Sequence, residues 1–292
     1  MKRYIDHRKI SVITITYNRN QHLNNLIKGL QSGQQLPDEL VIVNMGGRIR
    51  LDEDITIPVR IFDLTCHNHK DIPLAQARNI GAKHAYFENL VFLDVDCIPS
   101  YSFIRQMREY IQLYPGIIMG TPHYLHNAVG DTFTEEQLLK DSEPHPDRPE
   151  VIGLRQENTY ELFWSLCFAT TKTQYNILEG FDEQYKGYGG EDTDFSFKAR
   201  AQNCPFYICD AIVYHQPHSV HKPPLHQFEP IVNNCNYFYS KWGLWPMDRY
   251  LKQFTESKLI DWNPGQHTPI TIRQKPSHMA VERSFVANAP YA

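Results

Sequence analysis

The chain has 292 residues, with 29 lysines and arginines against 33 aspartates and glutamates, a formal net charge of −4. That balance excludes a strongly basic nucleic-acid binder, so no nucleic-acid partner is expected. At 41% hydrophobic and 21% charged residues the composition is that of a globular chain able to bury a sizeable core.

No run reaches the roughly 18 apolar residues that a membrane helix needs, so no transmembrane segment is expected. The start, Met1-Lys2-Arg3-Tyr4-Ile5-Asp6-His7-Arg8-Lys9, lacks the apolar stretch of a signal peptide. The six cysteines (Cys66, Cys97, Cys167, Cys204, Cys209, Cys235) form no C-x-x-C pair and read as reduced thiols. The expected location is cytoplasmic, either free or peripheral at the inner face of the membrane.

Ile10 to Thr16 is β-branched and nearly all apolar, then breaks at Tyr17-Asn18-Arg19-Asn20 into a segment with Leu23, Leu26, Ile27 and Leu30 at helical spacing. Leu40-Val41-Ile42-Val43, ended by Asn44-Met45-Gly46-Gly47, and Val59-Arg60-Ile61-Phe62 predict two further strands. Pro73 opens a helix carrying Leu74, Ala77, Arg78, Ile80, Gly81 and Ala85, and Asn89 to Leu93 is an apolar strand that stops at Asp94-Val95-Asp96. This alternation predicts a parallel α/β sheet covered on both faces, with its ligand outside the carboxyl ends of the strands.

Residues 121–157 are polar and contain Pro144, Pro146 and Pro149, which reads as a long functional loop or mobile lid. Phe163 to Thr170 is strand-like, Thr173 to Leu178 predicts a short helix, Glu191 opens another helix, and Ala211 to Tyr214 predicts a strand. We divide the chain into a domain over residues 1–221 and a C-terminal extension over 222–292. The extension, aromatic-rich from Phe228 to Trp245, is expected to be helical, to pack on the domain and to offer a route to an oligomer.

In extended geometry the two acids of Asp94-Val95-Asp96 point the same way while Val95 points back inward, and two convergent carboxylates attract a hard divalent cation. Gly187-Tyr188-Gly189-Gly190-Glu191-Asp192-Thr193-Asp194 lets backbone approach a ligand while three acids crowd a helix start. Capping, at about 1 kcal/mol, explains one of those acids and not the whole string, which suits a general base. His215, His218, His221 and His226 follow a strand, and the first is placed to complete a metal site begun by Asp96. Four histidines so close also fit a solvated loop or a separate zinc site. Arg19 and Arg78 can grip phosphate through paired donors or serve as surface ion pairs. Tyr188 and Trp164 offer flat faces to a sugar ring.

Taken in order, Ser11-Val12-Ile13-Thr14-Ile15-Thr16-Tyr17-Asn18-Arg19, Ala77-Arg78-Asn79-Ile80-Gly81 and Phe92-Leu93-Asp94-Val95-Asp96 resemble the nucleotide-sugar half of family 2 glycosyltransferases with a GT-A fold. Glu179-Gly180-Phe181-Asp182-Glu183 through Gly187-Tyr188-Gly189-Gly190-Glu191-Asp192-Thr193-Asp194 resembles the acceptor-side motif of β-1,4-galactosyltransferases and their bacterial relatives. The resemblance implies a GT-A fold, a mostly parallel central sheet flanked by helices. It also implies a metal-dependent inverting transferase that moves a galactose-type or N-acetylhexosamine sugar from a UDP-linked donor to a hydroxyl. The acceptor would be a glycan, glycolipid or small molecule.

By position the resemblance places Thr16, Tyr17 and Arg19 near the nucleotide, Arg78 near ribose or diphosphate, and Asp94 at the ribose or the ion. Asp96 and His215 fall on the metal, Mn²⁺ with Mg²⁺ as the second candidate. Asp192 becomes the catalytic base, with Glu191 beside it contacting acceptor or donor sugar. Tyr188, Gly189, Gly190 and Trp164 take the acceptor side, Tyr188 standing where galactosyltransferases carry Trp. Asn44 replaces the acid of an Asp-Asp-Gly-Ser run and is expected to hydrogen-bond the base edge through its amide. A sugar-nucleotide hydrolase, a nucleotidyltransferase and a non-catalytic sugar-binding scaffold are the competing readings.

Overall fold

The computed structural model describes residues 8–64 and 72–289; the charged start Met1–His7 and Cys66 lie outside them. The first half alternates as β1 (Ile10–Thr16), α1 (Asn20–Ser32), β2 (Glu39–Asn44), β3 (Val59–Asp63), α2 (Leu74–His84), β4 (Asn89–Leu93), β5 (Cys97–Pro99) and α3 (Phe103–Leu113). Next come β6 (Ile117–Leu125), α4 (Glu135–Lys140), β7 (Ser142–Pro144), β8 (Leu154–Glu157), β9 (Cys167–Thr171), α5 (Lys172–Ile177), α6 (Glu191–Ala201) and β10 (Phe206–His215). The remainder is β11 (His218–His221), α7 (Phe228–Trp242), α8 (Asp248–Glu256), β12 (Ile260–Asp261), β13 (Thr271–Ile272), α9 (His278–Arg283) and β14 (Phe285–Ala289).

The central sheet runs β3-β2-β1-β4-β9-β6-β10-β5. The strands β3, β2, β1, β4, β6 and β10 point one way and β9 and β5 the other, so six of the eight are aligned. Period-2 alternation sorts the apolar strand residues between two helical layers. Ile10 and Val12 pack with Leu23, Leu26 and Leu30 of α1 and Phe103 and Met107 of α3. Ile13 and Phe92 pack on the other face with Ala75, Tyr175 and Phe195 of α2, α5 and α6. Helix α1 buries the predicted Leu23, Leu26, Ile27 and Leu30 stripe.

The segment 121–157, expected as a long functional loop or mobile lid, carries regular secondary structure. It contains the end of β6, helix α4 with a Thr134/Gln137 capping box, and β7 and β8, which pair with β6 and β10. Its polar composition reflects edge strands with exposed faces, which need few apolar residues. The strand expected over Phe163–Thr170 is shorter and later: Tyr160–Leu162 is a single 3₁₀ turn, Phe163 is a core side chain, and pairing starts at Cys167.

The extension buries its own cluster of Phe228, Ile231, Phe254 and Trp262, among others. It includes short strands as well as helices, and β14 pairs antiparallel with β11 across the 221/222 boundary. Among the described residues no helix is long and apolar enough to cross a membrane. Cys97, Cys167, Cys204, Cys209 and Cys235 are all buried free thiols.

Candidate active site

The aligned strands end together, so Thr16, Asn44, Asp63 and Asp94 come to one rim of the sheet, with His215 at the end of β10. Asp94-Val95-Asp96 is not extended as the spacing suggested. It forms a turn, closed by the Cys97 N–H donating to the Asp94 carbonyl at 2.9 Å, and its two carboxylates take different partners. The chain must reverse there to enter β5, whose register sets Cys97 opposite His215. The Gln216 N–H donates to the Asp96 carbonyl at 2.7 Å and locks that junction. Residues far apart in sequence thereby become neighbours.

Asp96, His215 and His218 each offer a ligand atom, and these atoms lie within 4.8 Å of one another. Two of the group's buried polar atoms, Asp96 Oδ1 and His215 Nδ1, lack a hydrogen-bond partner. Buried polar atoms are rarely left so, and a carboxylate with two imidazoles is a donor set that suits a divalent cation. Burial holds the His215 imidazole down at about 4 and lowers His218 as well, which favours the neutral imidazole that a cation requires. Burial alone would raise the Asp96 carboxyl, but Arg19 and the surrounding histidines hold it below the usual carboxylate range. Arg19, at the start of α1, is ion-paired directly with Asp96, and His22 stands 3.9 Å away. Of the four histidines, His221 and His226 contact each other with ring centres 4.1 Å apart and are not part of this group.

Arg78 joins the two halves of the site. It is 4% exposed on α2, with Nη2 3.2 Å from Asp94 Oδ1 and Nη1 3.3 Å from Glu191 Oε1, and its guanidinium lies over Phe181. Burial and the adjacent Asp192 charge push the Glu191 carboxyl up to about 7 despite that arginine. The Asp192 carboxyl is also raised, by burial, while the Thr193 N–H donating at 2.8 Å and Arg78 work against the shift. Both acids sit in the first turn of α6, where the helix dipole favours negative charge. Gly190 enters that turn at φ +93, and at Gly189, also +93, a Cβ would lie 2.5 Å from the Met247 sulfur. Those two positions therefore demand glycine.

At the ends of β1 and β2, Thr16 is buried and its carbonyl accepts from Met45 N–H, while the Tyr17 ring lies against Gly46. The Asn44 amide is engaged within the chain: Nδ2 donates to Asp63 Oδ1 at 2.8 Å and to the Gly47 carbonyl, and Oδ1 accepts from Gly46 N–H. Trp164 carries the Arg148 guanidinium over its ring and His145 edge-on at 5.0 Å. Tyr124 links this group onward, 5.6 Å from His145 and 5.0 Å from His215 between ring centres. The Arg148 charge acts on Asp192.

Tyr124, His145, Arg148 and His218 thus join the site without having been singled out from sequence as its members. His218 sat within a noted cluster, but only the β10–β11 turn shows which histidine accompanies His215. The other three fall in the segment read as a lid, where the period-2 signal is weak and the apolar run of β6 is interrupted by Gly120 and Pro122.

A mostly parallel sheet of this order, flanked by helices on both faces, is the GT-A architecture of nucleotide-diphospho-sugar transferases. The solved structure of GalNAc-T7 with UDP, GalNAc and Mn²⁺ shares it at a TM-score of 0.53 and 15% identity, covering 85% of this chain and 54% of that one. Residues 11–173, more than half of the chain, match the family described as glycosyl transferase family 2, and residues 153–222 match the N-terminal domain of galactosyltransferase. The chain belongs to glycosyltransferase family 2. It is similar to chondroitin synthase of Pasteurella multocida, 23% identical over 236 residues, which are 71% of this chain and 24% of that protein. It is also similar to validoxylamine A glucosyltransferase of Streptomyces hygroscopicus subsp. limoneus, 24% identical over 229 residues, 68% of this chain and 49% of that one. The chain spans less than half the length of either relative.

Proposed function

We propose that the protein is a metal-dependent, inverting transferase that moves a hexose or N-acetylhexosamine from a UDP-sugar to an acceptor hydroxyl. The observation that carries this reading is the group of Asp96, His215 and His218, standing at the same rim as the Arg78–Glu191 pair and Asp192. Those three side chains would hold the cation, Mn²⁺ before Mg²⁺ because two ligands are imidazoles. The cation supplies positive charge to the departing diphosphate.

The chain's own groups do the rest. Thr16, Tyr17 and Asn44 border the nucleotide, and Arg19, released from Asp96, presents paired N–H donors to phosphate. Arg78 fixes Asp94 on the donor side and Glu191 on the acceptor side, so the two substrates meet in a set geometry. Asp192 accepts the proton of the acceptor hydroxyl as its oxygen bonds to the anomeric carbon from the face opposite the leaving group. The bond from that carbon to the diphosphate oxygen breaks in the same displacement, which inverts the configuration. Tyr188 and Trp164 offer ring faces to the acceptor, a glycan, a glycolipid or a small molecule.

The test is a screen of UDP- and GDP-sugars with and without Mn²⁺, following nucleoside diphosphate release, repeated with Asp96→Ala. Metal-dependent release from one donor, lost in the variant and accelerated by an acceptor, supports the reading. Release of free sugar at a rate that no acceptor changes identifies a hydrolase instead.

A further inference from the structure

Helix α7 turns an apolar stripe inward, with Phe228, Ile231, Cys235 and Phe238 buried, and one amide, Asn234, lies on the same stripe at 4% exposure. A buried amide without partners costs about 1–3 kcal/mol, so its bonds identify its role. Asn234 Nδ2 donates to the carbonyls of Lys186 at 2.9 Å, Gly189 at 2.9 Å and Tyr188 at 3.3 Å, and Oδ1 accepts from the Lys186 N–H at 3.3 Å. All four contacts go to one loop, which lies outside any helix or strand and runs directly into the Glu191-Asp192 turn.

The same helix grips both ends of that motif. Lys241 Nζ bridges Asp182 at 2.8 Å and Asp194 at 2.6 Å, and Trp242 Nε1 donates to Asp194 at 2.8 Å. The residue that precedes α8 completes the contact: the Met247 sulfur lies against Gly189.

We propose that Asn234 is a positioning residue for sugar transfer. It fixes the backbone of residues 186–189, so that Tyr188 and the Asp192 turn face the acceptor, and it makes the C-terminal extension part of the acceptor site. This inference rests on the transferase reading above and adds to it where the acceptor geometry comes from. Asn234 touches no substrate; it acts through the loop it holds.

The test compares Asn234→Ala with Asn236→Ala. Asn236 lies on the same helix but bonds within the extension, donating to the Ile270 carbonyl and accepting from the Ile270 N–H at 2.7 Å. Three quantities are read on the full chain: transfer to p-nitrophenyl glycosides with varied acceptor concentration, affinity for UDP with Mn²⁺, and amide hydrogen exchange over residues 186–190. For Asn234→Ala, a one-ångström loosening predicts a fall in acceptor kcat/KM on the order of 100-fold, with UDP affinity unchanged and exchange over 186–190 accelerated. Asn236→Ala keeps wild-type transfer and exchange in that loop.

Wild-type transfer by a folded Asn234→Ala variant overturns the proposal. So does a loss of UDP affinity in step with transfer, because that is the mark of general unfolding. Where the wild type itself transfers to no acceptor the transferase reading fails separately, and unchanged exchange over 186–190 in Asn234→Ala then overturns the clamp as well.

Discussion

The proposed donor and acceptor halves of the site are built in opposite ways. The donor half stands on the ends of hydrogen-bonded strands, and its charged groups hold one another: Arg19 on Asp96, Arg78 on Asp94. The acceptor half is a glycine-rich loop with no ladder of its own, held from outside by Asn234 of a helix about 50 residues further on, while Lys241 and Trp242 of that helix hold Asp194 just beyond it. A strand end is rigid because the sheet is rigid. A loop is only as well placed as whatever bonds its backbone.

Four experiments sharpen or break this contrast. The largest expected effect is on chemistry alone: Asp192→Asn keeps the shape but removes the proposed base, and should lower transfer by about 10²–10⁴-fold in steady-state kinetics with UDP binding retained. A parallel loss of UDP binding would show that the two halves are not separable.

Asp194→Ala tests the clamp by stability. It leaves Lys241 without one carboxylate and strips the Trp242 N–H and Tyr185 hydroxyl of their shared acceptor, so thermal or denaturant unfolding should register about 3 kcal/mol lost. A cost below about 1 kcal/mol would mean that the extension is held by its apolar contacts alone.

On the proposed donor side, His218→Ala removes one imidazole from the proposed cation group, so Mn²⁺ affinity, followed by calorimetry, should fall about 10–100-fold. Unchanged affinity would restrict the site to Asp96 and His215. The fold should tolerate the change, because His218 is only partly buried, at a strand start.

The smallest effect concerns Glu191. Its folded-state pKa stands near 7 against an ordinary 4.5, so folding favours the protonated form. The stability tied to that form is complete below about pH 4.5 and is lost as pH rises through 7. Glu191→Gln should therefore match wild-type stability near pH 4 and exceed it at pH 8 by about 1–2 kcal/mol in denaturant titrations. The opposite sign would place Arg78's attraction above the burial cost.

Much of this molecule is legible in one dimension. The β-branched run Ile10–Thr16, the stripe Leu23–Leu30 and the apolar Asn89–Leu93 specify their elements by local periodicity, and their order specifies an α/β sheet with its site at the carboxyl rim. Asp96, His215 and the Glu191-Asp192 pair are legible because each sits where a strand or helix begins or ends, whereas Arg78, inside α2, is legible only through the run Ala77-Arg78-Asn79-Ile80-Gly81. Local pattern does not carry what long-range pairing decides. That β5 reverses at Asp94-Val95-Asp96, that Cys97 faces His215, and that β7 and β8 turn the polar segment 121–157 into sheet edges all follow from register between strands far apart. In the same way an asparagine on an apolar stripe of α7 is only an anomaly in sequence. The tertiary structure gives it a role by bringing four backbone groups of a distant loop within reach of one amide.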